Sequence, residues 1–113
     1  MIQYLQALVQ QVSDKLEGRS PQWNRVRKTH LFNHPSCAAC GGKDSLEVHH
    51  IEPFHIYPSK ELDPTNLITL CSAKGRECHI RFGHGFNWKH YCPAVVLYAE
   101  QELHRLKERI LNG

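Results

Sequence analysis

Apolar residues recur with helical spacing at both ends of the chain. Near the N-terminus they follow one another at steps of three and four, at Ile2, Leu5, Val9, Val12 and Leu16. The same steps return after Pro93, at Val96, Ala99, Leu103, Leu106 and Ile110. This spacing places the side chains on one face of a helix. We therefore predict amphipathic helices over about residues 2–17 and 94–112, which could pack on each other or form the seam of a homodimer.

A shorter helix is predicted after Gly18. Ser20 is a suitable N-cap, Pro21 suits the first helical position, and the segment ends before Pro35. Trp23 and Trp88 could stack on bases, but Trp23 shares helical spacing with Val26, so we favour a place in the core for both rings. The helix is also basic, at Arg25, Arg27 and Lys28. These cations are either a nucleic-acid contact or an ordinary solvated face.

Between Cys37 and about His90, glycines and prolines divide the chain into short runs. The 113 residues suit one domain, 1–113, but 41% apolar residues is little for a self-sufficient core. The net charge of +3 permits a polyanionic partner. No run approaches the length of a membrane span and the start does not resemble a secretory signal, so we expect a cytoplasmic protein without membrane contact.

Four of the five cysteines form two pairs, "CAAC" at 37–40 and "CSAKGREC" at 71–78. Two thiolate pairs on tight turns can surround a tetrahedral zinc ion, which would also add folding free energy to a small core. The alternatives are four small buried side chains or a redox pair in "CAAC". We favour a structural Zn²⁺ on Cys37, Cys40, Cys71 and Cys78.

Histidines are concentrated in the same middle segment. His49 and His50 are adjacent in the short apolar run "LEVHHIEPF", and a strand would send their side chains to opposite faces. One ring could then bind a metal while the other serves acid–base chemistry. Glu52 could orient an imidazole, but we favour a solvated surface carboxylate.

These residues resemble a known family. "CAACGGKDSLEVHHIEPF", "DPTNLITLC" and "CHIRFGHGFNW" follow in the order of the HNH endonuclease, or ββα-metal, motif in its form with a four-cysteine zinc knuckle. The resemblance covers about residues 23–90. It implies an α+β fold in which a small zinc-stapled core is framed by the N- and C-terminal helices.

The resemblance also implies roles for single residues. His50 matches the general base, Asn66 the residue that keeps that base oriented, and His49 and His79 the ligands of a catalytic divalent metal. His84 is a further candidate ligand, although it follows His79 by five positions where the family usually has one helical turn. The second cysteine pair also departs from the commoner C-x2-C spacing, because "SAKGRE" separates its members.

The expected activity is metal-dependent hydrolysis, by cutting or nicking, of phosphodiester bonds in DNA. Mg²⁺ or Mn²⁺ is the activator implied by the resemblance, and Ni²⁺ or Zn²⁺ also suits imidazole ligands. Arg81, near the site, joins Arg25, Arg27 and Lys28 as a candidate contact to the phosphate backbone. The alternative function is a zinc-finger-like module that binds nucleic acid without cleaving it.

Overall fold

The computed structural model describes residues 20–112. The predicted first helix at 2–17 lies outside these residues, and so does any seam that it forms with the last helix. The described chain contains helix α1 (Trp23–Asn33), strands β1 (Leu46–His50) and β2 (Leu67–Cys71), a π-helical segment (His79–Gly83) and helix α2 (Val95–Asn112), with short 3-10 turns at Pro58–Lys60 and Pro64–Asn66. The predicted α+β class is confirmed.

Helix α1 begins two residues later than the sequence predicted. The carbonyl of Ser20 accepts from Trp23 N at 3.2 Å, and its hydroxyl accepts from Gln22 N at 3.1 Å. Ser20 therefore closes a turn before the helix, and Gln22 takes the N-cap position without a side-chain cap. The helix ends where His34 N donates to the carbonyl of His30 at 2.8 Å, one residue before Pro35.

The two strands pair antiparallel, with Leu46 opposite Cys71 and His50 opposite Leu67. All five residues of β2 are buried, as its unbroken apolar run "LITLC" favours. An isolated two-stranded sheet is marginal in water, and here both α1 and the π-helical segment contact it. The buried core joins Leu70 and the last helix to three of the cysteines.

Helix α2 has the predicted bounds within one residue, but the face that it buries in the core differs from the predicted one. Val95, Ala99 and Glu102 are buried, whereas Val96 is 40% exposed and Ile110 is 80% exposed. The apolar stripe thus begins one residue earlier than predicted, where Val95 N donates to the carbonyl of Cys92 and starts the helix. Glu102, predicted to lie off the stripe, is buried because arginines contact its carboxylate. None of the helices described in residues 20–112 has the length and apolarity to cross a membrane.

Candidate metal centres and active site

The four paired cysteines converge in the core. Their sulfur atoms all lie within 4.8 Å of one another, and Sγ of Cys40 is 3.7 Å from Sγ of Cys71. This is too long for a disulfide, and all five cysteines of the chain are free thiols. Four sulfurs placed about 2.3 Å from a tetrahedral ion would be separated by about 3.8 Å. The cluster therefore fits a bound metal ion.

Backbone turns hold these sulfurs in place. Gly41 N donates to the carbonyl of Cys37 at 2.8 Å, and Gly42 N donates to Sγ of Cys40 at 3.4 Å. The longer second loop turns back where the carbonyl of Ala73 accepts from both Arg76 N and Glu77 N. Six intervening residues thus still return Cys78 to the cluster.

Proton sharing within the cluster already favours a thiolate. A hydrogen bond from the Cys78 thiol lowers the pKa of Cys37 to about 4. The same bond, together with burial, raises the pKa of Cys78. Since thiolates are the metal-binding form of cysteine, the cluster holds one ligand in its binding state at neutral pH before any ion arrives.

A second cluster consists of three imidazoles. Nδ1 of His49 lies 3.0 Å from Nε2 of His79, and Nε2 of His84 lies 3.3 Å from the same atom. Nitrogens about 2.1 Å from one ion would be separated by about 3.0–3.4 Å for bond angles between 90° and 109°. The three rings thus have the spacing of metal ligands, and the residues described contain no other such group besides the cysteines.

The outer hydrogen bonds of these rings determine which nitrogens face inward as acceptors. Nδ1 of His79 is 2.6 Å from Oε2 of Glu47, and Nδ1 of His84 is 2.7 Å from the carbonyl of His90. Both partners are acceptors, so both Nδ1 atoms carry hydrogen in the neutral rings. The two Nε2 lone pairs then face each other at 3.3 Å, which is repulsive unless a cation lies between them.

A π-helical turn brings His84 into this cluster. His79 and His84 are five residues apart, too far for one α-helical turn, but the intervening segment is π-helical. A π-helix hydrogen bonds from i to i+5, so residues five apart return to the same side. The unusual spacing in the sequence is therefore matched by an unusual local backbone.

Glu47 was not predicted as a site residue. It lies two positions before His49, on the same side of β1, and its carboxylate accepts from both His79 and Ser72. Burial raises the pKa of Glu47, but these two hydrogen bonds outweigh burial and hold the pKa below its usual range. The ionised carboxylate orients the His79 ring. Strand alternation places Glu47 on the same side of β1 as His49, and this pattern could have identified Glu47 from the sequence.

His49 is the most enclosed of the three rings, at 5% exposed. Burial, and next the charges of the neighbouring imidazoles, lower its pKa to about 3, so the ring stays neutral and able to bind a metal. Gly83 packs directly against it. A Cβ at Gly83 would lie 3.1 Å from Cε1 of His49 and 3.1 Å from Cδ2 of His79. A side chain at this position would displace the ligands.

His50 lies on the other side of β1, as strand alternation predicts. Its ring packs on Trp23 with centroids 4.5 Å apart, and its Nε2 is 2.9 Å from the carbonyl of Glu61. Because a carbonyl can only accept, Nε2 carries the hydrogen and Nδ1 is the basic nitrogen of the neutral ring. Trp23 is half-buried and supports this imidazole, a role that its spacing with Val26 did not reveal.

Asn66 connects the loop after β1 to the start of β2. Its Oδ1 accepts from Glu52 N at 2.9 Å, while Nδ2 donates to the carbonyls of Glu52 at 3.0 Å and Lys60 at 3.1 Å. The carbonyl that faces His50 belongs to the next residue, Glu61. Asn66 thus holds the segment that orients His50, whereas the Glu52 carboxylate forms an ion pair with Lys60.

One cavity of about 210 Å³ connects these groups. It is lined by His50 and by all three imidazoles of the metal-ligand cluster, together with Phe54 and Tyr91. The adjacent histidines of β1 therefore reach the same cavity from opposite sides of the strand. This arrangement places a basic nitrogen and a candidate metal site around one space, which is what metal-assisted hydrolysis requires.

Comparison with known families agrees with this arrangement. Residues 37–84 match the model of the HNH endonuclease family. The matched segment runs from the first cysteine of the sulfur cluster to the last histidine of the imidazole cluster. Comparisons with curated proteins and with solved structures gave no match.

Trp88 lies beside the imidazole cluster and not in the core. Trp88, predicted to lie in the core, is 60% exposed. Its ring instead packs on His79 and His84, with centroids 5.1 and 4.8 Å away. The prediction was wrong because Trp88 follows the π-helical segment in an irregular loop, where no periodic face sends it inward.

The four basic residues predicted to contact phosphate do not form one surface. Arg27 follows Trp23 by one helical turn, on the side of α1 that faces His50, whereas Lys28 is exposed elsewhere. Arg25 donates to Gln22 and borders a separate cavity of about 190 Å³. Arg81 leaves the π-helical segment on the side of α2, where it contacts Glu102.

Proposed function

We propose that this protein is a metal-dependent endonuclease that hydrolyses phosphodiester bonds of DNA, with His50 as the general base. The observation that carries the proposal is the shared cavity, in which His50 stands beside the three-imidazole cluster. A module that only binds nucleic acid needs neither an oriented base nor a second metal site. The HNH match supports a nuclease-type family for the segment that holds both.

His50 would take the proton from the attacking water. Its Nδ1 is the basic nitrogen, since the Glu61 carbonyl holds the hydrogen on Nε2. Proton transfer to Nδ1 leaves an imidazolium whose Nε2–H still donates to that carbonyl, which stabilises the charged ring. Asn66 keeps the carbonyl in place through the adjacent residue, Lys60. Such a positioned base contributes about 10²–10⁴-fold to the rate.

His49, His79 and His84 would hold the catalytic ion. A divalent ion there supplies Lewis-acid stabilisation of the charge that develops on the phosphoryl oxygens. The donor set consists of imidazole nitrogens, which suit Zn²⁺ and Ni²⁺ better than Mg²⁺ and Mn²⁺, the ions that prefer oxygen ligands. Glu47 fixes the His79 ring so that Nε2 faces the ion.

The sulfur cluster has a separate role in the proposal. Cys37, Cys40, Cys71 and Cys78 would hold a structural Zn²⁺, because four thiolates leave no coordination position open for substrate. This ion would join the segment around residues 37–40 to the end of β2 and the start of the π-helical segment. It would therefore stabilise the element that carries His79.

The test is a plasmid-nicking assay of wild type and His50→Ala across Mg²⁺, Mn²⁺, Ni²⁺ and Zn²⁺, with bound zinc quantified on the same samples. His104→Ala is the matched control, because His104 is an exposed histidine that pairs with Glu108 on α2. We expect His50→Ala to lose cleavage at least about 100-fold while keeping its zinc. Equal cleavage by all three proteins would remove His50 from the role of base. DNA binding without cleavage under every metal would favour the non-catalytic module.

A further inference from the structure

A second basic surface lies away from the cavity that holds the imidazoles. It is a groove of about 720 Å³ between the six-residue loop of the second cysteine pair and helix α2. Four arginines from three separate parts of the chain line it, and we call it the arginine groove: Arg76, Arg81, Arg105 and Arg109. Only Arg81 among them was predicted to contact nucleic acid.

The charges in this groove are only partly balanced. Glu102 is 9% exposed, and its carboxylate accepts from Arg81 at 3.4 Å and from Nε of Arg105 at 2.7 Å. Arg76 and Arg109 are exposed and form no ion pair with any residue in the 20–112 segment. One carboxylate thus positions two guanidinium groups, while two more face solvent without an ion-pair partner among residues 20–112.

We propose that the arginine groove binds the phosphate backbone of nucleic acid outside the reaction cavity. Guanidinium groups match phosphate oxygens with paired hydrogen bonds, and four of them around one groove favour an anion with repeated charges. The described residues that line the groove include no aromatic side chain on which a base could stack. Contacts from these arginines to phosphate oxygens would carry no sequence information. This inference rests on the proposed function for the identity of the polyanion.

The position of the groove indicates which part of the substrate it would hold. His79 faces β1 through Glu47, whereas Arg81, two residues later, faces α2 through Glu102. The groove and the imidazoles thus lie on different sides of the π-helical segment. A helix is about 10 Å across, which corresponds to about three base pairs at 3.4 Å each. The groove would reach phosphates that flank the cleaved one, so one duplex could contact the groove and the cavity together.

The test measures binding rather than cleavage, by fluorescence anisotropy of a labelled duplex of about 30 base pairs without divalent metal, a length well above the separation of about three base pairs. The variants are Arg76→Ala and Arg109→Ala, singly and together. Lys107→Ala is the matched control, because it removes one positive charge from the same helix. Lys107 borders a different cavity, which His30 also lines. Bound zinc and the far-UV circular dichroism spectrum check that each variant is folded.

For the 30-base-pair duplex we expect each single substitution to reduce the slope of log K against log salt by about 0.9. We expect the double variant to bind about tenfold more weakly, a loss of about 1.4 kcal/mol. Lys107→Ala should keep the wild-type slope.

The proposal is overturned if the double variant and Lys107→Ala have the same slope. Unchanged DNA binding by the double variant would also overturn it, and would point instead to an acidic protein as the occupant of the groove. Groove-dependent binding without cleavage in the plasmid assay would contradict the proposed function alone. Metal-dependent cleavage with an unchanged salt slope would contradict the groove alone.

Discussion

Asn66→Ala should destabilise the protein and misplace the general base together. The amide makes three hydrogen bonds to the backbone of the loop after β1, at 2.9, 3.0 and 3.1 Å, and its side chain is 6% exposed. Alanine would leave the N–H and carbonyl of Glu52 and the carbonyl of Lys60 without this partner. At about 0.5–1.5 kcal/mol for each bond, we expect a loss of about 2–4 kcal/mol in the free energy of unfolding.

Thermal unfolding in zinc-containing buffer measures this loss. For a domain of this size, 1 kcal/mol lowers the Tm by about 4–8 °C, so Asn66→Ala should melt at least about 8 °C below wild type. Asn87→Ala is the matched control, because Asn87 is exposed and its amide only accepts from Lys89 N at 3.0 Å. Its cost should stay below about 1 kcal/mol.

A second substitution at Asn66 distinguishes the effect of losing hydrogen-bond donors from the effect of reducing side-chain volume. Asn66→Asp keeps the acceptor for Glu52 N but turns an oxygen toward the carbonyls of Glu52 and Lys60, so it should destabilise at least as much as alanine. Cleavage should fall in both variants because Lys60 precedes the carbonyl that orients His50. A wild-type Tm for Asn66→Asp would refute the reasoning.

Three further predictions concern the imidazole cluster. Glu47→Gln should weaken Mn²⁺ binding, measured by isothermal titration calorimetry, by about 10–100-fold, whereas Glu52→Gln should not, since only Glu47 holds His79. Gly83→Ala should also weaken Mn²⁺ binding while zinc content stays at the wild-type value, because its Cβ would lie 3.1 Å from two ligand rings; unchanged affinity would mean that the rings can move aside. His49 has a folded-state pKa of about 3 against 6.5 when unfolded, so only the unfolded chain gains its proton as pH falls between these values. The contribution of His49 to stability is therefore fully present above pH 6.5 and is lost as pH falls toward 3. Without added divalent metal, the free energy of unfolding should fall by about 1.4 kcal/mol between pH 7.5 and 5.5 because of this ring. Urea unfolding of His49→Gln should show a pH dependence that is smaller by that amount.

Local spacing predicted the members of the sulfur cluster, and the family resemblance was also needed to predict those of the imidazole cluster. Strand alternation alone separates His49 from His50, and the structure sends one ring toward His79 and the other toward Trp23. The cysteine pairs converge as their spacing predicted, including the longer second loop. These features depend on a few adjacent residues, and the short-range geometry of strands and turns determines them.

Helical periodicity was less reliable at α2. Spacing alone could not distinguish a stripe that begins at Val95 from one that begins at Val96, because both positions are apolar. The turn from Cys92 selects the first, and Glu102 then points inward. Its carboxylate contacts Arg105 on the same helix and Arg81, which is 21 residues away in sequence, so a rule based on polarity placed it on the wrong side.

The sequence by itself determined which residues can bind metal, which can act as a base, and that the fold is α+β with an HNH motif. Only the tertiary structure decided that a π-helical turn returns His84 to His79 and that Glu47 orients the His79 ring. It also decided that four arginines line one groove. The physical reason is the range of the interactions. Turns, caps and strand alternation act over a few residues and leave a pattern in the chain, whereas contacts across 20 or more positions leave none until packing brings the segments together.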